Sequence, residues 1–183
     1  MPSTLASVTA PAEPRAGVTL TTSRGHGIPG GSYIGFMTST TADLFTQIDH
    51  VGVAVADLDA AIAFYRDTYW MRMLHEEVNE EQGVREAMMA VGDSGSCIQL
   101  LAPLSPESTI AKFLDRNGPG MQQLAYRVAD IDAVSATLRE RGVRLLYPQP
   151  KRGTSDSRVN FIHPKDAGGI LVELVEPAAD AHH

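Results

Sequence analysis

The sequence predicts an α+β fold built from two tandem modules, each with the element order βαβββ. The segment 48–60 has a second copy at 121–133, and aligned positions in the two copies are 73 residues apart. A second pair of similar segments, 98–103 and 172–177, is 74 residues apart, so the second copy carries one inserted residue. Repetition at a nearly constant spacing indicates that one structural unit is built twice.

The chain divides into a tail and a folded domain. Its first part is rich in Pro, Gly, Ser and Thr and shows no sustained helical or strand period, which predicts disorder. The folded domain is predicted from residue 47 to residue 178. The predicted boundaries are 1–46 for the N-terminal tail, about 47–104 and 120–178 for the two modules, about 105–117 for a connector helix and 179–183 for a C-terminal tail.

The first module begins with a strand over residues 47–55, where apolar and β-branched residues dominate. Asp57 or Asp59 then caps a helix, because apolar residues recur at i, i+4 and i+7 on one of its faces. Turns that contain glycine separate the elements that follow. The remaining strands are predicted at about 71–78, 85–91 and 96–101.

A connector helix is predicted to begin at Ser105 and Pro106, because a capping serine followed by proline is typical of a helix start. Asn117 and Gly118 end this helix. The second module then repeats the first. Its predicted elements are a strand at 121–128, a helix at 132–141 and strands at about 144–147, 158–163 and 170–175.

Polar side chains occupy equivalent positions in the two copies. His50 and Gln123 lie on the first strand of each module, and Gln99 and Glu173 lie on the last strand. If a pseudo-twofold axis relates the modules, these four side chains converge. One nitrogen and three oxygen donors suit a divalent metal ion with open positions for substrate. For His50 alone, a hydrogen-bonded histidine in the core or at its rim is the alternative.

Glu86 is the candidate catalytic base. A metal that chelates a carbonyl and a carboxylate would stabilise an enolate, and such a reaction also needs a base beside the metal. Glu86 begins an otherwise apolar strand. On an inward face, burial would raise the pKa of its carboxyl towards neutrality, which suits a general base. The alternative is a solvated Glu86 paired with Arg85 or Arg158.

Composition excludes several classes of function. The formal net charge of −7 argues against a nucleic-acid surface, which needs clustered Lys and Arg. No run approaches the roughly 20 apolar residues of a membrane span. Because the first residues also lack the apolar core of a secretory signal, we expect a cytoplasmic protein. The single cysteine, Cys97, lies in an apolar strand pattern and is expected to be a small core residue rather than a nucleophile.

Several segments resemble a known family. They are Ile-Asp-His at 48–50, Glu-Val-Asn-Glu-Glu-Gln-Gly-Val-Arg-Glu at 77–86 and Phe-Ile-His-Pro-Lys-Asp at 161–166. On these segments the chain resembles the vicinal oxygen chelate superfamily and, within it, the methylmalonyl-CoA epimerases. The resemblance implies two tandem modules around a cleft that holds a metal, and epimerisation of methylmalonyl-CoA at C2 by proton abstraction through an enolate.

The resemblance also implies roles for individual residues. It places His50, Gln99 and Glu173 on metal-ligand positions of the family and Glu86 on the position of the catalytic base. Glu173 is in addition the candidate for the second acid or base. The implied cofactor is a divalent metal ion, Co²⁺, Mn²⁺, Mg²⁺ or Zn²⁺. The implied partners are a small acyl-CoA substrate and a second copy of the chain in a homodimer, with no nucleic acid and no membrane.

The chain departs from the family pattern at two positions. Gln123 stands where the family usually has a histidine, so a weaker neutral donor replaces an imidazole as the fourth ligand. Trp70 replaces a glycine that is common after the first helix, so we expect a different backbone conformation in that turn. His163 and Lys165 are candidates for contact with substrate or with the groups around the metal, and turn stabilisation is the alternative for them.

Two other functions remain as alternatives. One is a different metal-dependent isomerase or lyase of the same fold, such as a glyoxalase. The other is a metal-free protein that sequesters a ligand in the same cleft, which the loss of an imidazole at Gln123 favours slightly. The segment around Glu86 and the retained ligand positions favour the epimerase.

Overall fold

The computed structural model describes residues 43–179. Most of the predicted N-terminal tail, residues 1–42, and the end of the C-terminal tail, residues 180–183, lie outside the described residues. No helix between residues 43 and 179 is long and apolar enough to cross a membrane. The elements in chain order are β1 Gln47–Ala54, α1 Leu58–Tyr69, β2 Met73–Asn79, β3 Val84–Ala90, β4 Cys97–Pro103, α2 Thr109–Asn117, β5 Gly120–Arg127, α3 Ile131–Glu140, β6 Lys151–Arg152, β7 Arg158–Ile162 and β8 Leu171–Glu176.

The eight strands form one sheet in the order β2-β3-β4-β1-β5-β8-β7-β6. Each module supplies four neighbouring strands, and its first and last strands run parallel, β1 beside β4 and β5 beside β8. The modules join where β1 pairs with β5 in the antiparallel direction. The predicted α+β fold of two βαβββ modules is therefore confirmed. Its topology puts the first and last strands of both modules in the middle of the sheet.

The repeat is visible again where the helices begin. Asp57 Oδ1 accepts a hydrogen bond from Ala60 N at 3.0 Å, and Asp130 Oδ1 accepts one from Ala133 N at 2.9 Å. Each carboxylate satisfies an amide that has no partner inside its own helix. Asp57, and not Asp59, is therefore the cap of α1.

The helices α1 and α3 cover one face of the sheet. Leu100 of β4 packs in a cluster with Leu58 of α1, and Leu174 of β8 packs in the corresponding cluster around α3. Successive side chains of a strand point to opposite faces. Gln99 and Glu173, which directly precede these leucines, therefore belong to the other face of the sheet, where both are buried.

Two residues before the predicted domain boundary at residue 47 pack against the folded domain. Leu44 and Phe45 pack on the core of the second module, and the Phe45 ring stacks on Tyr126 with 4.8 Å between the ring centroids. The assignment of residues 43–46 to a disordered tail was wrong, because two large apolar side chains in this short segment gain burial against the core.

The connector helix α2 begins at Thr109, later than the predicted start at Ser105 and Pro106. Ser108 Oγ accepts a hydrogen bond from Ala111 N at 3.0 Å and so caps the helix. The predicted start was therefore wrong. The capping serine is Ser108 and not Ser105, since a serine can cap only the helix that follows it directly.

The predicted strand at 144–147 does not form. Leu145 makes a single bridge to Ile162, and the short strand β6 takes the edge of the sheet instead. The backbone keeps only two hydrogen bonds across this pairing, from Leu146 N to Phe161 O at 2.8 Å and from His163 N to Arg144 O at 2.9 Å. The other amides turn to side chains, because Arg144 N donates to Asp166 Oδ2 at 3.0 Å and Tyr147 N donates to Asn160 Oδ1 at 3.2 Å.

Trp70 ends α1 in the left-handed conformation, with φ 56° and ψ 31°. This is the region that glycine commonly occupies after a helix, so the expectation of a different backbone conformation was wrong. The side chain is 88% exposed and gains little from packing. The left-handed conformation is unfavourable by about 1–2 kcal/mol for a residue with a Cβ atom, so Trp70 lowers the free energy of unfolding at this turn.

Candidate metal and catalytic site

The structure brings together the four polar side chains that occupy equivalent positions in the repeat. Gln123 Nε2 lies 3.3 Å from His50 Nε2, 3.2 Å from Gln99 Oε1 and 2.5 Å from Glu173 Oε2. His50 Nε2 also lies 3.1 Å from Glu173 Oε2. All four side chains are buried. Side chains from three strands, β1, β4 and β8, therefore surround the Gln123 amide of β5, and we call these four side chains the donor cluster.

Gly52 leaves room for the Gln123 side chain to lie against the backbone of β1. In the sheet, Gly52 pairs with Gln99 on one side and with Gln123 on the other. A Cβ atom at this position would lie 2.5 Å from Gln123 Cγ. Any larger residue would therefore push the Gln123 amide away from the other donors.

His50 is held at both ends of its ring. Its Nδ1 lies 2.9 Å from Asp49 Oδ1, and Arg127 Nε donates to Asp49 Oδ2 at 2.7 Å. Burial disfavours the charged imidazolium of His50, but the hydrogen bonds to the Asp49 and Glu173 carboxylates prevail and raise its pKa to about 9. The charged ring therefore balances the two buried carboxylates around it.

Glu86 lies next to the donor cluster and is only 1% exposed. Gln99 Nε2 donates to Glu86 Oε2 at 2.9 Å, which links the carboxylate to the cluster. Burial is the main cause that raises the pKa of Glu86 to about 7, the hydrogen bond from Thr154 opposes this rise, and the neighbouring Glu77 and Glu173 carboxylates add to it. A carboxylate of this kind can remove a proton from carbon near neutral pH.

The alternative of a solvated Glu86 paired with an arginine is excluded by the ion pairs that the structure contains. Arg85 pairs with Asp59 and Glu76 on the surface. Arg158 pairs with Asp132 and Glu176 at the other end of the sheet. Both arginines thus have other partners, while Glu86 is buried.

Thr154 is a site residue that sequence reasoning missed. Its Oγ1 donates to Glu86 Oε1 at 2.7 Å and accepts from Gln99 Nε2 at 3.0 Å. The next two residues, Ser155 and Asp156, have φ values of 53° and 59°, a left-handed conformation that costs energy for residues other than glycine. A short strained turn therefore carries the hydroxyl that orients the candidate base. No periodicity marks such a residue, because its place depends on a loop from the other module.

The site opens into a cleft of about 440 Å³. His50, Glu173 and Thr154 lie in its wall, whereas Gln99, Gln123 and Glu86 are not among the lining residues. A ligand in the cleft therefore reaches two of the four donors and the Thr154 hydroxyl that contacts Glu86. The cleft has the size of a small-molecule site. Its wall also contains two arginines, one histidine and several small or apolar residues, among them Arg72, Arg127, His75, Met88, Cys97 and Val175.

His163 and Lys165 are not among the residues that line this cleft. His163 Nδ1 accepts a hydrogen bond from Lys165 N at 3.1 Å and caps a short 3₁₀ turn over Pro164–Asp166. The structure thus gives His163 the turn-stabilising contact that was the alternative for this segment.

The donor cluster has the composition to hold a divalent cation. His50 Nε2, Gln99 Oε1 and Glu173 Oε2 surround the point that Gln123 Nε2 occupies, and an amide can present either its nitrogen or its oxygen to that point. Between residues 43 and 179 no group of three or more His, Cys, Asp or Glu side chains could hold a metal. A metal here would therefore depend on the two amide oxygens, which are hard and weak donors.

Comparisons with known proteins agree with this geometry. The family model of the Glyoxalase/Bleomycin resistance protein/Dioxygenase superfamily matches residues 49–161. The mitochondrial methylmalonyl-CoA epimerase of Homo sapiens is 36% identical over 129 residues, which are 70% of this chain and 72% of that protein. The ethylmalonyl-CoA/methylmalonyl-CoA epimerase of Cereibacter sphaeroides is 38% identical over 130 residues, or 70% of this chain and 96% of that protein.

Solved structures give the same result. The methylmalonyl-CoA epimerase of Mycobacterium tuberculosis is 59% identical and superposes with a TM-score of 0.73 over 78% of this chain and 94% of that one. A methylmalonyl-CoA epimerase in complex with methylmalonyl-CoA and NH4+ is 50% identical, with a TM-score of 0.72 over 74% and 96% of the two chains. The matched family model, the identities and the shared two-module sheet show that the chain belongs to the glyoxalase/bleomycin resistance protein/dioxygenase superfamily, the vicinal oxygen chelate proteins.

Proposed function

We propose that this protein is a methylmalonyl-CoA epimerase, which interconverts the R and S forms of its substrate at C2. One observation carries the proposal: a buried carboxylate, Glu86, lies beside the donor cluster and is tied to it through Gln99. A ligand-sequestering protein needs neither group. The identities of 36% and 59% to epimerases from human and M. tuberculosis support the same substrate.

The chemistry required at C2 agrees with these side chains. C2 is bonded to both a thioester carbonyl and a carboxylate. When its proton is removed, the remaining electron pair is delocalised onto the thioester carbonyl, which gives an enolate. Glu86 takes this proton. The hydrogen bonds from Gln99 and Thr154 hold its carboxylate in one orientation during the transfer.

Return of a proton to the opposite face of C2 completes the inversion. Glu173 is our candidate for the second acid, because it lies in the wall of the same cleft. Its Oε2 already has contacts with His50 and Gln123. A carboxylate that is engaged in this way is a poorer base than Glu86, so we assign the first proton abstraction to Glu86 in at least one direction of the reaction.

We propose a divalent metal ion as the cofactor, held by His50, Gln99, Gln123 and Glu173. When bound, such an ion supplies a Lewis acid for the enolate oxygen. Co²⁺, Mn²⁺, Mg²⁺ and Zn²⁺ are the candidates. The two amide donors support the harder ions of this group, because oxygen ligands suit Mg²⁺ and Mn²⁺.

The proposed partner is an acyl-CoA thioester, and the proposed assembly is a homodimer in the cytoplasm. The buried free thiol of Cys97 agrees with a reducing compartment. Light scattering at micromolar concentration tests the assembly. A mass of twice the 19.7 kDa of one chain is expected, and a mass of one chain contradicts the dimer.

The function is tested by measuring the interconversion of (2R)- and (2S)-methylmalonyl-CoA with wild-type protein and with the Glu86→Gln variant. We expect interconversion by the wild type and a loss of at least about 10²-fold in the variant, since general base catalysis contributes about 10²–10⁴-fold. Tight binding of the thioester without interconversion would favour the sequestering protein. Turnover of a hemithioacetal in its place would favour a glyoxalase.

A further inference from the structure

We propose that Asp49 and Arg127 position His50 as a metal ligand, so that the donor cluster depends on a chain of three side chains that runs out to the cleft wall. This inference rests on the proposed metal role of the cluster. The sequence suggested no role for either residue, although Asp49 lies in the Ile-Asp-His segment of the family resemblance. The contacts are His50 Nδ1 to Asp49 Oδ1 at 2.9 Å and Arg127 Nε to Asp49 Oδ2 at 2.7 Å.

A β-bulge makes the first contact possible. Neighbouring residues of a regular strand point to opposite faces, so Asp49 and His50 would normally be separated by the sheet. In the pairing of β1 with β5, Ile48 lies opposite Tyr126 and His50 lies opposite the next residue, Ala125, so Asp49 is an extra residue without a partner. Asp49 and His50 are both buried, and both line the cleft. The bulge thus turns two consecutive side chains towards the same site.

The chemistry of the three groups fixes the direction of each hydrogen bond. A guanidinium can only donate, so Arg127 requires an acceptor at Asp49 Oδ2. The carboxylate of Asp49 accepts at both oxygens, and it therefore takes a hydrogen from His50 Nδ1. With Nδ1 engaged as a donor, the ring directs Nε2 into the donor cluster, as a metal-binding histidine requires.

The variant Asp49→Asn tests this series of hydrogen bonds, because Arg127, which can only donate, allows the new amide only one orientation. The amide oxygen must face Arg127, and the amide NH₂ must then face His50 Nδ1. This pairing excludes a hydrogen on Nδ1 and puts it on Nε2, where it blocks the metal position. We expect the affinity for Co²⁺ to fall by about 10–100-fold, as for other residues that orient a metal ligand.

A second substitution distinguishes positioning from a merely structural role. In the double variant Asp49→Asn with Arg127→Gln, residue 127 can accept as well as donate. The Asn amide can then turn its oxygen back to His50 Nδ1. We expect the double variant to bind Co²⁺ more tightly than Asp49→Asn alone. A structural defect would instead grow with the second substitution.

The experiment is a calorimetric titration of the four proteins with Co²⁺ alone, together with ¹H–¹⁵N NMR of the histidine rings. Asp67→Asn is the control, because Asp67 forms a similar pair with Arg66 on the surface, at 2.7 Å. The wild type and the control should both show the His50 Nδ1–H resonance and should bind Co²⁺ with equal affinity. Asp49→Asn should lose this resonance and bind Co²⁺ more weakly. The inference is overturned if the wild type binds no Co²⁺, if Asp49→Asn keeps its affinity, or if the double variant binds no better than Asp49→Asn. Because neither readout uses methylmalonyl-CoA, failure of the proposed reaction is seen separately.

Discussion

The variant Glu86→Gln is predicted to be nearly inactive and yet more stable than the wild type above neutral pH. Glu86 is 1% exposed, and burial raises its pKa from 4.5 to about 7. The folded protein therefore holds the proton of Glu86 more tightly than the unfolded chain does. The contribution of this group to stability is complete below pH 4.5 and is lost as the pH rises towards 7.

The magnitude follows from this difference in pKa. Each pKa unit is worth about 1.4 kcal/mol, so ionising Glu86 in the folded protein costs at most roughly 3.5 kcal/mol at pH 8. Glutamine keeps the shape and avoids this cost. Its amide oxygen can accept from Gln99, and its NH₂ can donate to the Thr154 hydroxyl, which then reverses its own direction.

The assay is urea unfolding of metal-free protein at pH 5 and at pH 8. We expect Glu86→Gln to exceed the wild type by about 1–3 kcal/mol at pH 8 and by much less at pH 5. Glu80→Gln, at an exposed position in the same hairpin, is the control and should behave like the wild type at both pH values. A variant that is no more stable than the wild type at pH 8 would refute the reasoning that the base is kept at a cost in stability.

Three further predictions concern single positions. Gly52→Ala should destabilise the fold by about 1–3 kcal/mol and weaken Co²⁺ binding, since its Cβ would lie 2.5 Å from Gln123 Cγ; unchanged melting and affinity would contradict the packing argument. Gln123→His should raise the affinity for Co²⁺ or Zn²⁺ at least about tenfold in calorimetry, while Gln122→His should not; equal effects would show that Gln123 is not a ligand. Trp70→Gly should raise the unfolding free energy by up to about 1 kcal/mol with activity unchanged, and a lower value would mean that the exposed ring contributes more than the strained backbone costs.

The repeat was the most informative feature of the sequence. Because the two copies share one order of elements, the spacing of His50 and Gln123 already implied that their strands are equivalent, and a pseudo-twofold axis then brought Gln99 and Glu173 to the same place. The apolar strand that Glu86 begins made burial one of two possibilities for this carboxylate, and the structure decided between them. The conclusions from the repeat depend only on local pattern and symmetry, which a single sequence contains.

The residues that support the site could not be found in this way. Strand alternation places Asp49 on the face opposite His50, and only a bulge in the pairing with the second module reverses this. Thr154 reaches Glu86 from 68 residues away, on a turn whose path is set by packing in the other module. The strand expected at 144–147 is reduced to a bridge for a related reason, because the amides of Arg144 and Tyr147 donate to side chains of distant residues. Long-range contacts of this kind leave no periodic signal.

We propose that this cleft forms and reprotonates an enolate of methylmalonyl-CoA, with Glu86 as a base. The most direct measurement is the wash-in of deuterium at C2 of methylmalonyl-CoA in heavy water, followed by NMR, with chelated protein and after addition of Co²⁺, Mn²⁺, Mg²⁺ or Zn²⁺. We expect exchange that requires an added metal and that is lost in Glu86→Gln. Well-folded wild-type protein that shows no exchange with any of the four metals would contradict it.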